Sequence, residues 1–157
     1  METMIQQLEL RVPPPIIALL TALLMGSVAW GIPGLHIPLF QHKVLAVVLA
    51  AAGMATGLAA VISFVRARTT ADPRRPEEAQ HLVRSGIYRF SRNPMYLGLF
   101  LILLGWGYFL ANAAALALLI IFIAAMTRLQ IVPEERALQK RFGIEFDEYR
   151  GRVRRWI

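Results

Sequence analysis

The chain has 157 residues, of which 57% are hydrophobic, and it carries a formal net charge of +7 with a mean hydropathy of +0.52. A soluble domain of this size cannot bury so much apolar surface, so the composition indicates an integral membrane protein. The absence of cysteine excludes disulfides, zinc–thiolate sites and thiol nucleophiles. His36 and His42 have no carboxylate or cysteine beside them, so we predict no metal site. The positive charge does not indicate nucleic-acid binding, because basic residues in a membrane chain mark its cytoplasmic side.

Two uncharged segments in the first half of the chain are each long enough to cross a bilayer, which takes about 20 apolar residues. We predict spanning helices over residues 16–35 and 44–65. The second contains Gly53-Met54-Ala55-Thr56-Gly57, a pattern of small residues that permits close helix packing or a helix dimer. Ahead of Pro13, residues 1–11 fit either a helix on the membrane surface or a frayed terminus.

Residues 95–129 form a third apolar block, 35 residues long. A single helix of that length would extend about 50 Å, which exceeds a hydrocarbon core of about 30 Å. Asn112, near the middle of the block, indicates a turn. We therefore predict a tight hairpin of two membrane helices, over residues 94–110 and 113–128.

A polar, basic and aromatic stretch from Ser85 to Gly98 leads into this hairpin. Within it, Arg92-Asn93-Pro94 predicts a helix start, because the residue before a proline is pushed out of the helical region and proline suits the first turn. Asparagine is a good N-cap, so we expect Asn93 to cap a helix that begins at Pro94. Arg92 then lies just outside the positive end of that helix.

The C-terminal segment, residues 131–157, is amphipathic and basic. Pro133 predicts the start of a helix whose first turn holds Glu134 and Glu135, where negative charge is favoured. Gly143 is a natural C-cap for this helix, and a second short helix is predicted to follow it.

The distribution of lysine and arginine predicts the topology. Seven of these residues lie in the connection after the second span and eight in the tail from Arg128, whereas the first loop has only Lys43. The positive-inside rule then places both termini and the long connection in the cytoplasm, in a plasma or inner membrane. The polar stretches 80–98 and 128–157 therefore meet at one membrane face.

The residues of these two stretches match a zwitterionic, partly aromatic ligand. Arg89 and Arg92 match a carboxylate, the glutamate pair matches an ammonium, and Tyr88 and Tyr96 offer aromatic faces to a cationic centre. S-adenosylmethionine has all of these features, and the residues permit it without singling it out. The same residues also fit simpler roles, as topology signals, interfacial aromatic anchors and a charged first helical turn.

Two separated blocks of sequence resemble the signature of one known family, the isoprenylcysteine carboxyl methyltransferases and phospholipid methyltransferases. The first block is Leu82-Val83, Ser85-Gly86-Ile87-Tyr88 and Arg92-Asn93-Pro94-Met95-Tyr96-Leu97-Gly98. The second, beyond the hairpin, is Glu134-Glu135, Leu138, Phe142-Gly143, Phe146, Tyr149 and Val153-Arg154-Arg155-Trp156-Ile157. The resemblance covers about residues 80 to 157.

This resemblance implies a fold and an activity. The fold is a single all-α, multi-pass membrane domain with about four transmembrane helices and a C-terminal cytoplasmic amphipathic helix. The activity is S-adenosylmethionine-dependent methyl transfer to a lipid-like or small lipophilic acceptor at the cytoplasmic membrane face.

The resemblance also implies which residues form the site. Arg92, Glu134 and Glu135 are the implied catalytic residues, and Arg128 and Gln130 are the implied substrate contacts. The implied cofactor contacts are Gln80, His81, Leu82, Val83, Tyr88, Asn93, Pro94, Met95, Tyr96 and Glu134.

Two positions depart from the family pattern. Asn93 replaces the usual histidine, and Gln130 stands where the isoprenylcysteine enzymes carry an arginine, with Arg128 the nearest alternative. Three functions therefore stay open at this point. They are isoprenylcysteine-like carboxyl methylation, N-methylation of a phospholipid of the phosphatidylethanolamine type, and a non-catalytic scaffold or anionic-lipid-binding role.

Overall fold

The computed structural model describes residues 9–38, 42–67 and 81–157, and within these ranges the chain is helical and has no β-strand. The predicted all-α class is therefore confirmed. The helices are α1 (Pro14–Gly31), α2 (His42–Arg66), α3 (Pro94–Leu110), α4 (Ala113–Met126), α5 (Val132–Phe142) and α6 (Ile144–Arg152). Most of the predicted surface segment, residues 1–8, lies outside the described residues.

Among the described residues, three helices are long and apolar enough to cross a membrane: α1, α2 and a continuous helix of 30 residues over Ala113–Phe142. The third predicted span, α3, is also apolar but has only 17 residues. The first span ends at Gly31 rather than at residue 35, because Pro33 begins a separate 3₁₀ turn over Pro33–Leu35.

Glycines bring α2 and α3 into backbone contact. A Cβ atom on Gly53 would lie 2.5 Å from the carbonyl oxygen of Gly98, and a Cβ on Gly98 would lie 2.7 Å from the carbonyl oxygen of Gly53. Farther along, a Cβ on Gly105 would lie 2.7 Å from the carbonyl oxygen of Ala46. The predicted close packing is therefore confirmed, and it occurs within the chain, against α3.

The hairpin turn lies at Asn112, as predicted. Ala111 adopts a left-handed conformation with φ 47°, and the Oδ1 of Asn112 accepts bonds from the N–H groups of Ala114 and Ala115, both at 3.1 Å. The Nδ2 of Asn112 donates to the carbonyl oxygen of Ile32 at 2.9 Å. One buried amide thus starts α4 and fastens the first loop to the hairpin.

The α-helical part of the predicted fourth span ends at Met126, close to residue 128, and α5 begins at Val132 with Pro133, Glu134 and Glu135 in its first turn, as predicted. The two helices are nevertheless continuous. A π-helical turn over Thr127–Ile131 joins α4 to α5 without a break. Proline has no N–H to donate to the carbonyl four residues earlier, and its ring crowds that carbonyl. The wider π turn accommodates the ring, and the carbonyl oxygen of Leu129 accepts instead from the N–H of Leu10, at 3.0 Å.

The apolar part of this long helix is α4, whereas α5 is polar and carries Glu134, Glu135, Arg136, Lys140 and Arg141. Gly143, with φ 53°, ends α5 as predicted, and the short α6 follows.

Candidate functional site

The two polar stretches meet at one end of the helix bundle, which we call the polar end. Here α2 ends at Arg66 and α3 begins at Pro94. The long helix formed by α4 and α5 changes from apolar to polar at the same end. A 3₁₀ turn over Gly86–Arg89 packs against α2, and the C-terminal tail after α6 returns to the start of α3. The predicted convergence of residues 80–98 and 128–157 is therefore present in the fold.

Tyr96 and Glu134 form the direct contact between the two stretches. The hydroxyl of Tyr96, itself 4% exposed, donates to Oε2 of Glu134 at 2.9 Å. Burial raises the pKa of Glu134 from 4.5 to about 7, the negative charge of Glu135 adds to this rise, and the Tyr96 bond opposes it. A carboxyl group with this pKa exchanges its proton near neutral pH.

Glu135 is held by two arginines. Its Oε1 accepts from Nη2 of Arg92 at 2.8 Å and from Nε of Arg155 at 3.1 Å, and its Oε2 accepts from Nη2 of Arg155 at 2.6 Å. The side chains of Arg92 and Glu135 are only 9% and 14% exposed. The bonds to Glu135 raise the pKa of Arg155. The adjacent glutamates thus have different surroundings, one neutralised by cations and one in a desolvated site.

The C-terminal tail fixes the start of α3. The N–H of Arg92 donates to the carbonyl of Arg154 at 3.0 Å, and the Nη1 of Arg92 donates to the carbonyl of Arg150 at 3.1 Å. Trp156 packs edge-on to Phe100, with 6.4 Å between the ring centroids. The tail therefore holds in place the residues that precede Tyr96.

The predicted helix start at Pro94 is confirmed, but the predicted capping role of Asn93 is wrong. Asn93 occupies the cap position with φ −128°, yet among the described residues its side chain makes no bond to the first turn of α3. Its Nδ2 donates instead to the carbonyl of Arg155 at 2.9 Å. The Asn93 side chain is therefore bonded to the tail, and the first-turn N–H groups of α3 receive no side-chain cap from Asn93.

Tyr88 is buried against α2. It packs with Ala60 and Val83, and its ring meets that of Phe64 edge-on at 5.3 Å. Burial, followed by the charge of Glu134, holds the pKa of Tyr88 well above its usual range, so its hydroxyl stays protonated. The hydroxyl of Tyr149 donates to the backbone carbonyl of Tyr88 at 2.8 Å.

The other predicted site residues have varied positions. Val83 and Pro94 are buried, Leu82 and Met95 are partly buried, and His81 is exposed. Arg128 is exposed and makes no ion pair with the described part of the chain, whereas Gln130 is fully buried. Gln80 lies outside the described residues.

Sequence reasoning assigned no role to Arg155, Tyr149 or Val12. Arg155 completes the cluster around Glu135, Tyr149 anchors Tyr88, and the carbonyl of Val12 accepts from the amide of Gln130 at 2.8 Å. The first two belong to the second block that resembles the family signature, but only the fold shows which partner each one contacts.

Comparison with known proteins identifies the family. Residues 41–145, well over half of the chain, match the family described as phospholipid methyltransferase. The chain belongs to this family. A stretch of 63 residues, 40% of the chain, is 46% identical to an uncharacterized protein of Haemophilus influenzae and covers 100% of that protein.

A second relative is a named enzyme. A stretch of 78 residues, 49% of the chain, is 35% identical to protein-S-isoprenylcysteine O-methyltransferase of Saccharomyces cerevisiae and covers 33% of that enzyme. The chain therefore corresponds to about a third of the yeast relative and to the whole of the Haemophilus one. No solved structure matches the chain.

Proposed function

We propose that this protein transfers a methyl group from S-adenosylmethionine to a lipophilic acceptor at the polar end of its helix bundle. The observation that carries the proposal is the Tyr96–Glu134 contact of 2.9 Å, which joins the two sequence blocks across the hairpin. The family name and the name of the yeast relative support it, because both describe methyl transfer to a lipid-like acceptor.

The residues present fit S-adenosylmethionine. Glu134, whose Oε2 already accepts from Tyr96, can accept a further hydrogen bond from an ammonium or a hydroxyl group. The first turn of α3, at Met95 and Tyr96, offers backbone donors to a carboxylate, since Asn93 does not cap it. Together with Tyr88, Val83 and the adjoining residues 80–82, these groups are the proposed cofactor contacts.

The cofactor supplies an electrophilic methyl group on a sulfonium centre. The chain's own contribution is to position the reactants and to exclude water, since displacement at such a methyl needs little acid or base assistance when the acceptor is already an anion. Tyr96 orients Glu134, and we propose that Arg92 and Glu135 act as positioning residues. Glu135, at the start of α5, pairs with Arg92, just before α3, and also with Arg155. These ion pairs hold the start of α3 and the start of α5 at a fixed separation.

The acceptor of the yeast relative is a prenylated cysteine, whose carboxylate could be methylated without losing a proton. A phospholipid amine is the second candidate, and the environment of Glu134 favours it. An ammonium group must lose a proton before its nitrogen can attack the methyl group, and Glu134, with a pKa of about 7, can take up that proton near neutral pH. Glu135 is less suited to this role because both of its oxygens already accept hydrogen bonds from Arg92 or Arg155.

Methyl transfer in lipid nanodiscs tests the proposal. The wild-type protein, given S-adenosylmethionine with a labelled methyl group and a total lipid extract, is expected to place label in the lipid phase. Glu134→Gln is expected to lower the rate at least 100-fold, because it removes both the charge and the proton acceptor. Glu148→Gln, the same change at an exposed position of α6, serves as the matched control and should keep the wild-type rate.

Label that stays in the aqueous phase with folded wild-type protein would contradict the proposal. It would favour the scaffold or anionic-lipid-binding role, in which the arginines of the polar end contact headgroups.

A further inference from the structure

Gln130 is a buried polar residue with one unused acceptor. Its side chain is 0% exposed, and its Nε2 donates to the carbonyl oxygen of Val12 at 2.8 Å. Its Oε1 is also buried and has no hydrogen-bond partner among the described residues. Because a carbonyl can only accept, the bond to Val12 fixes the orientation of the amide and leaves Oε1 as the acceptor. Buried acceptors are rarely left unpaired, because a buried polar atom without a hydrogen-bond partner loses the hydration it has in the unfolded chain.

The position of Gln130 places this acceptor beside the candidate site. Gln130 precedes Glu134 by four residues in the same continuous helix, so both lie on one face, about 6 Å apart along the axis. Met126, fully buried, precedes Gln130 by another four residues on that face. Gln130 therefore lies about one helical turn from Glu134, toward the apolar part of the same helix.

The segment Glu9–Val12, which we call the N-terminal strap, holds Gln130 in this orientation. Besides the bond from Gln130 to Val12, the N–H of Leu10 donates to the carbonyl of Leu129 at 3.0 Å. Glu9 forms an ion pair with Arg136, two residues beyond Glu134. The strap is thus fastened at three points along the helix that carries Glu134.

The charges at this place favour a hydrogen-bond donor over an anion. Glu134 and the Oε1 of Gln130 are both acceptors, and the nearby guanidinium groups of Arg92 and Arg155 are already bonded to Glu135. Arg128, two residues before Gln130, is exposed whereas Gln130 is buried, so the two side chains lie on different faces of the helix. A carboxylate would therefore meet the two acceptors without a cation on the same face. An amine would satisfy both of them.

We propose that Gln130, oriented by the N-terminal strap, is a specificity-determining residue that accepts a hydrogen bond from an amine of the lipophilic acceptor. This inference rests on the proposed methyl transfer. In that reaction an ammonium N–H passes its proton to Glu134, and the freed nitrogen lone pair forms a bond to the methyl carbon. The carbon–sulfur bond breaks at the same time and its electron pair stays on sulfur, which leaves S-adenosylhomocysteine and a methylated ammonium. Glu134 then releases its proton to solvent.

Substitution of Gln130 tests this role with two acceptors in nanodiscs, dioleoylphosphatidylethanolamine and N-acetyl-S-farnesylcysteine. The wild type is expected to methylate the amine in preference to the carboxylate. Gln130→Met, which has a similar volume and lacks the acceptor, is expected to raise the KM for the amine about tenfold. Its Kd for S-adenosylhomocysteine should stay within twofold of the wild-type value, because the cofactor contacts are elsewhere.

Two further variants separate recognition from a purely structural role. Arg136→Gln loosens the strap at its exposed ion pair and keeps Gln130, so its KM for the amine should change less than that of Gln130→Met. Gln130→Asn keeps both the amide donor and the acceptor oxygen on a side chain one methylene shorter, so its KM for the amine should stay closer to the wild-type value than that of Gln130→Met. This variant also tests the inference if Gln130→Met fails to fold.

Three results would overturn the inference. One is a preference of the wild type for the farnesylated carboxylate, and another is an unchanged KM for the amine in Gln130→Met. The third is a rise in Kd for S-adenosylhomocysteine that equals the rise in KM, which would assign the acceptor to the cofactor's amino group. In each case lipid methylation by the wild type would stand, whereas an absence of all transfer to lipid would remove the proposed function as well.

Discussion

Two adjacent glutamates at the polar end differ in their surroundings and hence in their chemistry. Glu135 accepts from Arg92 and Arg155, and these cations stabilise its charged form. Glu134 accepts from the neutral hydroxyl of Tyr96 in a desolvated place, so its charged form is disfavoured. Such separation of two carboxyl groups by their environments is typical of sites that handle protons. The identity of the residues alone does not distinguish them.

The raised pKa of Glu134 predicts how stability depends on pH. Between pH 4.5 and about 7 the folded protein keeps the Glu134 proton that the unfolded chain has released. The unfolded state then binds fewer protons, so the free energy of unfolding falls as pH rises through this window and levels off above it. Thermal unfolding in detergent should therefore show a decrease in Tm that is absent from Glu134→Gln. Equal pH dependence in both proteins would contradict the assignment.

The ion pair around Glu135 predicts a large effect of a single substitution. Arg92→Met removes one of its two cations from a largely buried site, and breaking such a pair typically costs about 3–5 kcal/mol, with Arg155 here offsetting part of the loss. Urea unfolding in detergent should show a clear fall in the free energy of unfolding. Arg152→Met is the control, because its 3.8 Å pair with Glu148 is exposed and such pairs contribute less than about 1 kcal/mol. Equal effects of the two changes would refute a stabilising role for the cluster.

Among the elements, the α2–α3 pair depends most strictly on side-chain size. Gly53→Ala would place a methyl group 2.5 Å from the carbonyl oxygen of Gly98, so the helices must separate, and overpacking of this kind costs about 1–3 kcal/mol. At Gly57 a Cβ would have no atom within 4 Å, and alanine there should stabilise the helix by up to about 1 kcal/mol. Thermal unfolding of both variants measures the contrast. A loss of stability in Gly57→Ala equal to that in Gly53→Ala would contradict the observed helix contact.

The helices themselves follow closely from local sequence. Uncharged runs mark α1 and α2, Asn112 marks the hairpin turn, and Pro94 marks the start of α3, because each of these signals acts within a few residues. The π turn at Thr127–Ile131 is different. In this turn the carbonyl oxygen of Leu129 accepts a hydrogen bond from the N–H of Leu10, which is distant in the chain.

The sequence predicts which residues belong to the site, but it does not predict which atoms they contact. The two sequence blocks indicate that Tyr96 and Glu134 belong together, and the fold joins them. The roles of Asn93 and Gln130 were not predictable, because each side chain binds a backbone carbonyl more than sixty residues away. Sequence spacing carries no information about such distant acceptors.

For the whole molecule, the uneven distribution of arginine predicts that the polar end faces the cytoplasm with both termini. The chain lacks cysteine, so single cysteines report on orientation without background. Arg152→Cys, at the polar end, should react with a membrane-impermeant maleimide only after the membrane is opened. Gly34→Cys, in the exposed loop at the opposite end, should react in intact cells. The reverse pattern would contradict the predicted topology.

The polar end of the bundle holds two carboxyl groups in different surroundings. Glu135 is paired with two arginines, and Glu134 is desolvated beside Tyr96. Under the proposed function, a water-soluble cofactor would reach this place from the polar end, and a membrane-dissolved acceptor would reach it between the helices. The arrangement suits a transfer between two reactants that share no common solvent.

Calorimetric titration of the detergent-purified protein with S-adenosylhomocysteine tests the central claim most directly. Saturable binding of one molecule per chain is expected for the wild type and for Glu148→Gln, with binding lost in Glu134→Gln. Absence of binding by a folded, monodisperse wild-type protein, repeated in nanodiscs, would contradict the account. Equal affinity in the wild type and Glu134→Gln would contradict the assignment of the site to Glu134.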